Sequence, residues 1–405
     1  MSNSTDTHTE LLFWNNQNLF EFEAIIQEIT DKGIILNKTA FYPESGGQLS
    51  DTGQLVLEKD KKSKLKVKFV EKLNGRVIHY ISGKIPSNYK EGLKVIGKID
   101  QERRSNLMRA HTSQHVLSAV IEDNFKIKTI KAVIEEKLIT VHLERKITEV
   151  ELSRALILAN NHLIAGLKVD SMFFKKNEIP ENIKINLRGE LEKVEHAKVR
   201  IISIETLDNS LCGGTHCQNT QEIGILFLDN FKGDIVSYTF GDTALERMTS
   251  LSLGVIGASK LLASKPSEVV NRIPKVINDL KELKEINSQL NKILLKQLMS
   301  NVKKNPLKIG AIKVFKEDFH FAEKKFVLQE LGKLDENQVA IFVVNGPIIV
   351  VVSSIKQLAA NEVVKIFCEK TSNKGGGSPT VAQASTNKEA EDLDIILEII
   401  RKKMK

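Results

Sequence analysis

Two pairs of candidate metal ligands, each at a spacing of four residues, stand far apart in this chain. Whatever fold it adopts has to account for both. The first pair lies in "MRAHTSQHVLSA", 108–119, where His111 and His115 fall at i and i+4, one above the other on a helix face. Leu107, Ala110, Leu117 and Ile121 share the apolar face of that helix, and the histidines border it. The second pair lies in "NSLCGGTHC", 209–217, where Gly213 and Gly214 permit a tight loop that turns Cys212 and His216 to the same side. Either pair alone is commonplace, a surface histidine pair or an ordinary loop. Both together, drawn from only 9 histidines, are not. Three imidazoles and one thiolate suit tetrahedral Zn²⁺, so the expectation is one zinc per chain on His111, His115, Cys212 and His216. Cys217 directly follows His216 and in an extended segment points the other way. Cys212 and Cys217 also lack the CxxC spacing of a redox pair.

At 405 residues the chain exceeds one ordinary core, and two or three domains are expected. Lys and Arg outnumber Asp and Glu, for a net charge of +8, which favours a polyanionic partner such as a nucleic acid. A general richness in lysine, asparagine and isoleucine accounts for part of that excess. Three cysteines behind a polar N-terminus imply a reduced, cytoplasmic setting without a disulfide framework. The most apolar run, 339–354, is broken by Asn345, Gly346 and Pro347. It reads as two buried strands joined by a turn and not as a membrane span.

The fold class expected is α+β. Residues 1–100 carry short strand patterns ("GIILN", "QLVLE", "KLKVKFV", "RVIHYIS") with an Asn74-Gly75 hairpin signal, consistent with a small β-barrel. Residues 101–262 form the zinc-binding core. There a helix follows Asp100, and a second runs from a Thr148/Glu151 capping box to Gly166, ahead of strands at 169–174 and 197–205. Across 266–300, Ile273, Val276, Leu280, Leu283, Asn287, Leu290 and Leu294 recur at alternating steps of three and four, a coiled-coil-like stripe. It serves either a helix packed on its own domain or a partner. Residues 301–405 read as an α/β domain with a glycine-rich loop, "NKGGGSPTVAQAST".

A third motif, "LNKTAFYPESGGQLSDTG", 36–53, runs a strand into a double-glycine turn ringed by Glu44, Gln48 and Asp51. The order of "FYPESGGQ", "HTSQHVLSA" and "LCGGTHC" resembles the editing domain of alanyl-tRNA synthetase and the free-standing alanyl-tRNA editing proteins of the AlaX type. The heptad helix and "GGGSPTVAQAS" resemble the synthetase's C-terminal, DHH-associated domain, so the resemblance covers most of the chain. Two departures stand out. Only about 20 residues precede the barrel, too few for an adenylate-forming core, so an editing protein is expected and not a synthetase. Asp242 and Thr243 also stand where such proteins often carry a basic residue.

The resemblance implies a trans-editing hydrolase acting on tRNA(Ala) mischarged with serine or glycine, by attack of water on the aminoacyl ester. Thr39 matches the position that reads the serine hydroxyl. Gln48 is expected to contact the substrate or the attacking water, and Gly46 and Gly47 to line the pocket. A homodimer through 266–405 is a further expectation. The alternatives are a threonyl-type editing system, against which the "FYPESGGQ" motif speaks, and a zinc-stapled tRNA-binding module without activity. A DHH-type phosphoesterase would need an Asp-His-His cluster, which the sequence lacks.

Overall fold

The computed structural model describes residues 8–31, 33–193 and 197–404. The chain divides into two compact units, Met1–Gly257 and Ala258–Lys405.

In the first unit, β1 (Glu21–Ile29), β2 (Gly33–Leu36), β3 (Gly53–Leu57), β4 (Asp60–Leu73), β5 (Arg76–Ile81) and β6 (Lys94–Ile99) close into a barrel. Their order is β1-β2-β5-β4-β3-β6. Burial alternates residue by residue along β1 and β5, the period-two signature of a wall with one face inward. Phe22, Leu36, Leu55, Val67, Val77 and Val95 fill the interior. Asn74-Gly75 turns β4 into β5, as the dipeptide foretells.

The core runs on through α1 (Gln101–Phe125), β7 (Thr129–Ile134), β8 (Ile139–Leu143), α2 (Glu149–Ala165), β9 (Val169–Lys175), β10 (Leu187–Arg188), β11 (Lys198–Ile204), β12 (Asp208–Leu211), β13 (Leu226–Lys232), β14 (Ile235–Phe240) and α3 (Gly241–Leu261). Two four-stranded sheets result, ordered β13-β14-β8-β7 and β9-β11-β12-β10. Asp100 caps α1, its carboxylate accepting from the Arg103 N–H at 3.1 Å. The expected Thr148/Glu151 capping box opens α2, and Gly166 closes it in the left-handed conformation. One expectation fails in degree. α1 does not present a single apolar face: Arg104, Asn106, His111, Thr112, Ser113 and His115 are buried along with the apolar residues. A helix can be enclosed in this way only if its polar side chains find partners inside.

In the second unit, α4 (Val269–Lys304) leads into β15 (Leu307–Ile309), β16 (Ile312–Phe319), α5 (Lys324–Leu331), β17 (Gln338–Val344), β18 (Ile348–Ser353), α6 (Ala360–Thr371), β19 (Gly375–Gly377), β20 (Val381–Ser385) and α7 (Glu389–Lys403). The sheet order is β15-β16-β17-β18-β20-β19. β17 explains the apolar run. Ile341 and Val343 face Phe367, Ile396 and Ile400, while Phe342 and Val344 face Phe319, Leu331 and Met299, so both sheet faces are covered. The expected glycine loop is different in the structure: Gly375–Gly377 is an exposed edge strand paired with Ala382–Ala384. Its side-chain-free backbone takes part in a β-ladder. α4 buries only Val269, Leu295, Met299 and Val302, leaving Ile273, Leu280, Leu283, Leu290 and Leu294 exposed. No described helix is long and apolar enough to cross a membrane.

Candidate metal centre and cleft

The two ligand pairs meet. α1 carries His111 and His115, and the loop after β12 carries Cys212 and His216. The four ligand atoms lie within 4.8 Å of one another. The Cys212 sulfur stands 3.5 Å from His111 Nε2 and 3.3 Å from His216 Nε2. Tetrahedral Zn–S and Zn–N bonds of about 2.3 and 2.1 Å require an S···N edge of roughly 3.6 Å, so these contacts fit that ion.

Each imidazole is oriented through its other nitrogen. His115 Nδ1 donates to Asp208 Oδ2 at 2.8 Å, His111 Nδ1 to Gln48 Oε1 at 2.7 Å, and His216 Nδ1 to Thr112 Oγ1 at 3.2 Å. All three partners act as acceptors. Thr112 gives its own hydroxyl proton to the Met108 carbonyl at 2.9 Å. Every ring therefore carries its Nδ1–H, and every Nε2 is turned to the cluster. Asp208 is held in turn by Arg188 Nη1 at 2.6 Å and Ser210 Oγ at 2.8 Å.

The electrostatics agree. Burial works against a charged His115, but the Asp208 carboxylate and the Cys212 sulfur outweigh it and raise its pKa to about 10. Burial likewise opposes a Cys212 thiolate, yet His111 and His216 draw that thiol well below its usual range. Burial, with His111 beside it, takes His216 down to about 3. A thiolate among imidazoles, with one proton to release, is the arrangement a divalent cation replaces. Cys217 differs: it lies in the apolar core, where burial pushes its thiol up to about 12.

The double-glycine turn is brought to the same place. Gln48 is fully buried, and both ends of its amide are used. Oε1 accepts from His111 and from the Thr215 N–H at 3.1 Å, while Nε2 donates to Thr215 Oγ1 at 2.9 Å. Gln48 thus orients one imidazole of the cluster, a task its sequence context did not disclose. Gly47 has φ +85, and a Cβ there would stand 2.3 Å from the Ala132 carbonyl oxygen, so only glycine lets the turn lie on β7. Asp51 locks the turn to α1. It forms a fully buried ion pair with Arg104, whose Nε stands 3.0 Å from each carboxylate oxygen, and it accepts from the Tyr42 N–H at 2.6 Å. Glu44 is exposed.

Thr39 lies apart from the cluster and is fully buried, in a two-residue strand (Lys38–Thr39) that pairs with Glu10–Leu11 outside the barrel sheet. His79 Nδ1 donates to the Ile34 carbonyl at 3.0 Å, so its Nε2 accepts from the Thr39 hydroxyl at 2.8 Å. Burial lowers His79 to about pKa 4 and keeps it neutral. Thr39 Oγ1 also accepts from the Phe41 N–H at 3.1 Å, which leaves one lone pair.

Two cavities flank the cluster. One, of about 750 Å³, is lined by Gly46, Gly47, His115 and Asp208 among others. The second, of about 620 Å³, is lined by Leu11, Trp14, Phe173, Arg200 and Cys212. The sequence did not mark Asp208, Thr112, Arg104 or Arg200. Only Arg104, seven residues before His111 and so two turns back on one helix face, carried a readable signal. The roles of the two loop glycines were also undivided. A Cβ on Gly214 would meet the His111 ring at 2.2 Å, whereas one on Gly213 would meet nothing within 4 Å.

The barrel is thus tied by a buried ion pair to a core that gathers three histidines and a cysteine, and comparisons with known proteins place these parts in a family. The model for the second additional domain of threonyl and alanyl tRNA synthetases matches residues 199–234. The model for class II (A) tRNA synthetases matches 3–103, and that for the DHHA1 domain 308–405. The chain therefore carries alanyl-tRNA synthetase editing-type domains followed by a DHHA1 domain. Over 97% of its length it is homologous to the alanyl-tRNA editing protein AlaX-L of Pyrococcus horikoshii, at 25% identity and over 98% of that protein. An alanine–tRNA ligase of Saccharolobus islandicus is 27% identical over 98% of this chain, and one of Methanococcus maripaludis 30% identical over 71%. The chain spans 44% of the length of the Saccharolobus ligase.

Proposed function

We propose that this chain is a trans-editing hydrolase that removes the amino acid from mischarged tRNA(Ala), with Ser-tRNA(Ala) as the main substrate and Gly-tRNA(Ala) as a second. The observation that carries the reading is the bond from Gln48 to His111, which joins the double-glycine motif to the ligand cluster in one site. The name of the full-length archaeal relative supports the same reading. One zinc per chain is assigned to His111, His115, Cys212 and His216. When bound, it supplies a Lewis-acidic centre that polarises an oxygen or anchors a substrate amino or hydroxyl group.

The chain's own residues do the rest. Asp208, Gln48 and Thr112 hold the three imidazoles, and Gly46 and Gly47 present bare backbone to the cleft. Serine exceeds alanine by one hydroxyl. A pocket that merely tolerates that group discriminates about a hundredfold, whereas one that hydrogen-bonds it rejects its absence far more strongly. We assign that readout to Thr39. Its orientation is set by His79 and Phe41, one lone pair remains to accept a hydroxyl, and its strand partner Leu11 lines the second cavity. The second unit serves RNA capture or self-association. Its exposed Ile273, Leu280, Leu283, Leu290 and Leu294 offer a seam for a homodimer, and Lys281, Lys284 and Lys296 are exposed along the same helix.

The purified chain should hydrolyse Ser-tRNA(Ala) and leave Ala-tRNA(Ala) largely intact. A zinc-loaded preparation inactive on Ser- and Gly-tRNA(Ala) alike would end this reading. Thr39→Val keeps the shape and removes the hydroxyl. The ratio of the Ser to Ala rates should fall, and an unchanged ratio excludes Thr39 as the reader.

A further inference from the structure

We propose that the cavity beside Cys212, walled by Trp14 and Phe173, is the subsite for the unpaired 3′-terminal nucleoside of the RNA substrate, whose base stacks on this aromatic pair. The inference rests on the hydrolase reading above and names where that substrate's end is held. Single-stranded RNA is gripped by aromatic faces combined with cations, because every base has a π-face and every nucleotide a charge.

This cavity has both. The Trp14 and Phe173 ring centroids stand 6.3 Å apart with planes at 56°. Phe173 is 41% exposed, a ring left uncovered inside a hollow. The Trp14 indole N–H donates to the Gly213 carbonyl at 3.3 Å, tying its ring to the ligand loop one residue from Cys212. Lys72 places its ammonium 5.9 Å from the Trp14 ring centroid, and Lys198 lines the cavity. Cys212 is part of the same wall, so a nucleoside held there has the ligand cluster at its edge.

Arg200 adds an independent observation. It is only 7% exposed and lines this cavity. Its Nε donates to Ser171 Oγ at 2.8 Å, and its Nη1 to the carbonyls of Cys212 at 2.9 Å and Gly214 at 2.7 Å. Its Nη2 is buried without any hydrogen-bond partner. A buried orphan donor is costly, and the side chain that carries it forms part of this cavity's wall.

The cavity on the other side of the cluster fits this ligand poorly. No Phe, Tyr or Trp lines it; beside Lys128 and Lys131 its wall carries Glu122, Glu190 and Asp208, and its Arg188 is already bound to Glu122, Asp123 and Asp208. A further hollow of about 560 Å³, lined by Asn15, Asn16 and Gln218, shares Trp14 and Phe173 and extends the aromatic wall for the preceding nucleotides.

Trp14 is the only tryptophan of the chain, so its fluorescence reads the subsite directly. The full chain is titrated with a deacylated RNA hairpin bearing a single-stranded ACCA 3′ tail, and with the same hairpin lacking the tail. The tailed hairpin should quench Trp14 saturably and the tail-less one should not. Phe173→Ala should weaken Kd for the tailed hairpin on the order of tenfold, with zinc content and circular dichroism unchanged. Unaltered emission at concentrations where a gel shift shows the complex, equal quenching by both hairpins, or an unchanged Kd in Phe173→Ala each overturns the subsite. Quenching without hydrolysis of Ser-tRNA(Ala) would remove the enzyme reading and leave the subsite standing. Hydrolysis with Trp14 undisturbed would do the reverse.

Discussion

The unit ending at Gly257 and the unit that follows it use burial in opposite ways. Of the polar and charged side chains buried among the described residues, all but Ser259, Ser353, Thr386 and Asp392 belong to the first unit. There they form connected sets: Asp208 with His115, Gln48 with His111 and Thr215, Arg104 with Asp51, and Thr39 with His79. The second unit buries apolar side chains on both faces of its sheet, while the apolar stripe of α4 stays outside. Burying polar groups is costly unless they are partnered, and such networks hold side chains in one geometry. An exposed apolar stripe marks association instead. The function proposed above places chemistry in the first unit and contact-making in the second, and this difference in burial is what supports it.

The largest effect should come from breaking the cluster itself. Cys212→Ala and Gly214→Ala should each lose nearly all bound zinc, the first by removing a ligand and the second by driving a Cβ into the His111 ring. Cys217→Ala and Gly213→Ala should keep it, because one side chain lies in the apolar core and the other position opens on empty space. Metal analysis of the four variants checks this, and equal loss from Cys212→Ala and Cys217→Ala would overturn the ligand assignment.

A second effect tests the buried network of the barrel. His79 has its pKa lowered from 6.5 to about 4, so the unfolded chain takes up its proton before the folded one. Its contribution to stability is complete above about pH 6.5 and is lost as pH falls toward 4. The span amounts to on the order of 3 kcal/mol. Urea unfolding of the wild type should weaken through that window more steeply than unfolding of His79→Gln. Parallel pH profiles would show that the site does not hold a neutral imidazole.

The smallest change in chemistry should follow removal of the second unit. A fragment ending at residue 262 should keep zinc and hydrolyse mischarged tRNA at saturating concentration, with weaker binding and a shallower salt dependence. A zinc-loaded fragment inactive at every tRNA concentration would show that the second unit takes part in the reaction, and the comparison between the units would fail.

Local patterns carried much of this protein. The two four-residue ligand spacings, the Thr148/Glu151 box, the Asn74-Gly75 hairpin and the period-two strands each state a backbone geometry through neighbours in the chain, so they can be read without the fold. Other features could not be read that way. That α1 is enclosed on nearly every side, that Asp208 and Thr112 set the tautomers of His115 and His216, and that Gln48 turns His111 toward the ligands depend on contacts between residues distant in sequence. The same holds for the glycines 375–377, whose place in an edge strand depends on Ala382–Ala384 lying beside them. A spacing names which residues can reach one point. The partner that orients each of them, and the orphan donor of Arg200, exist only once the chain has closed on itself, because hydrogen bonds and burial belong to pairs of surfaces and not to positions along a chain.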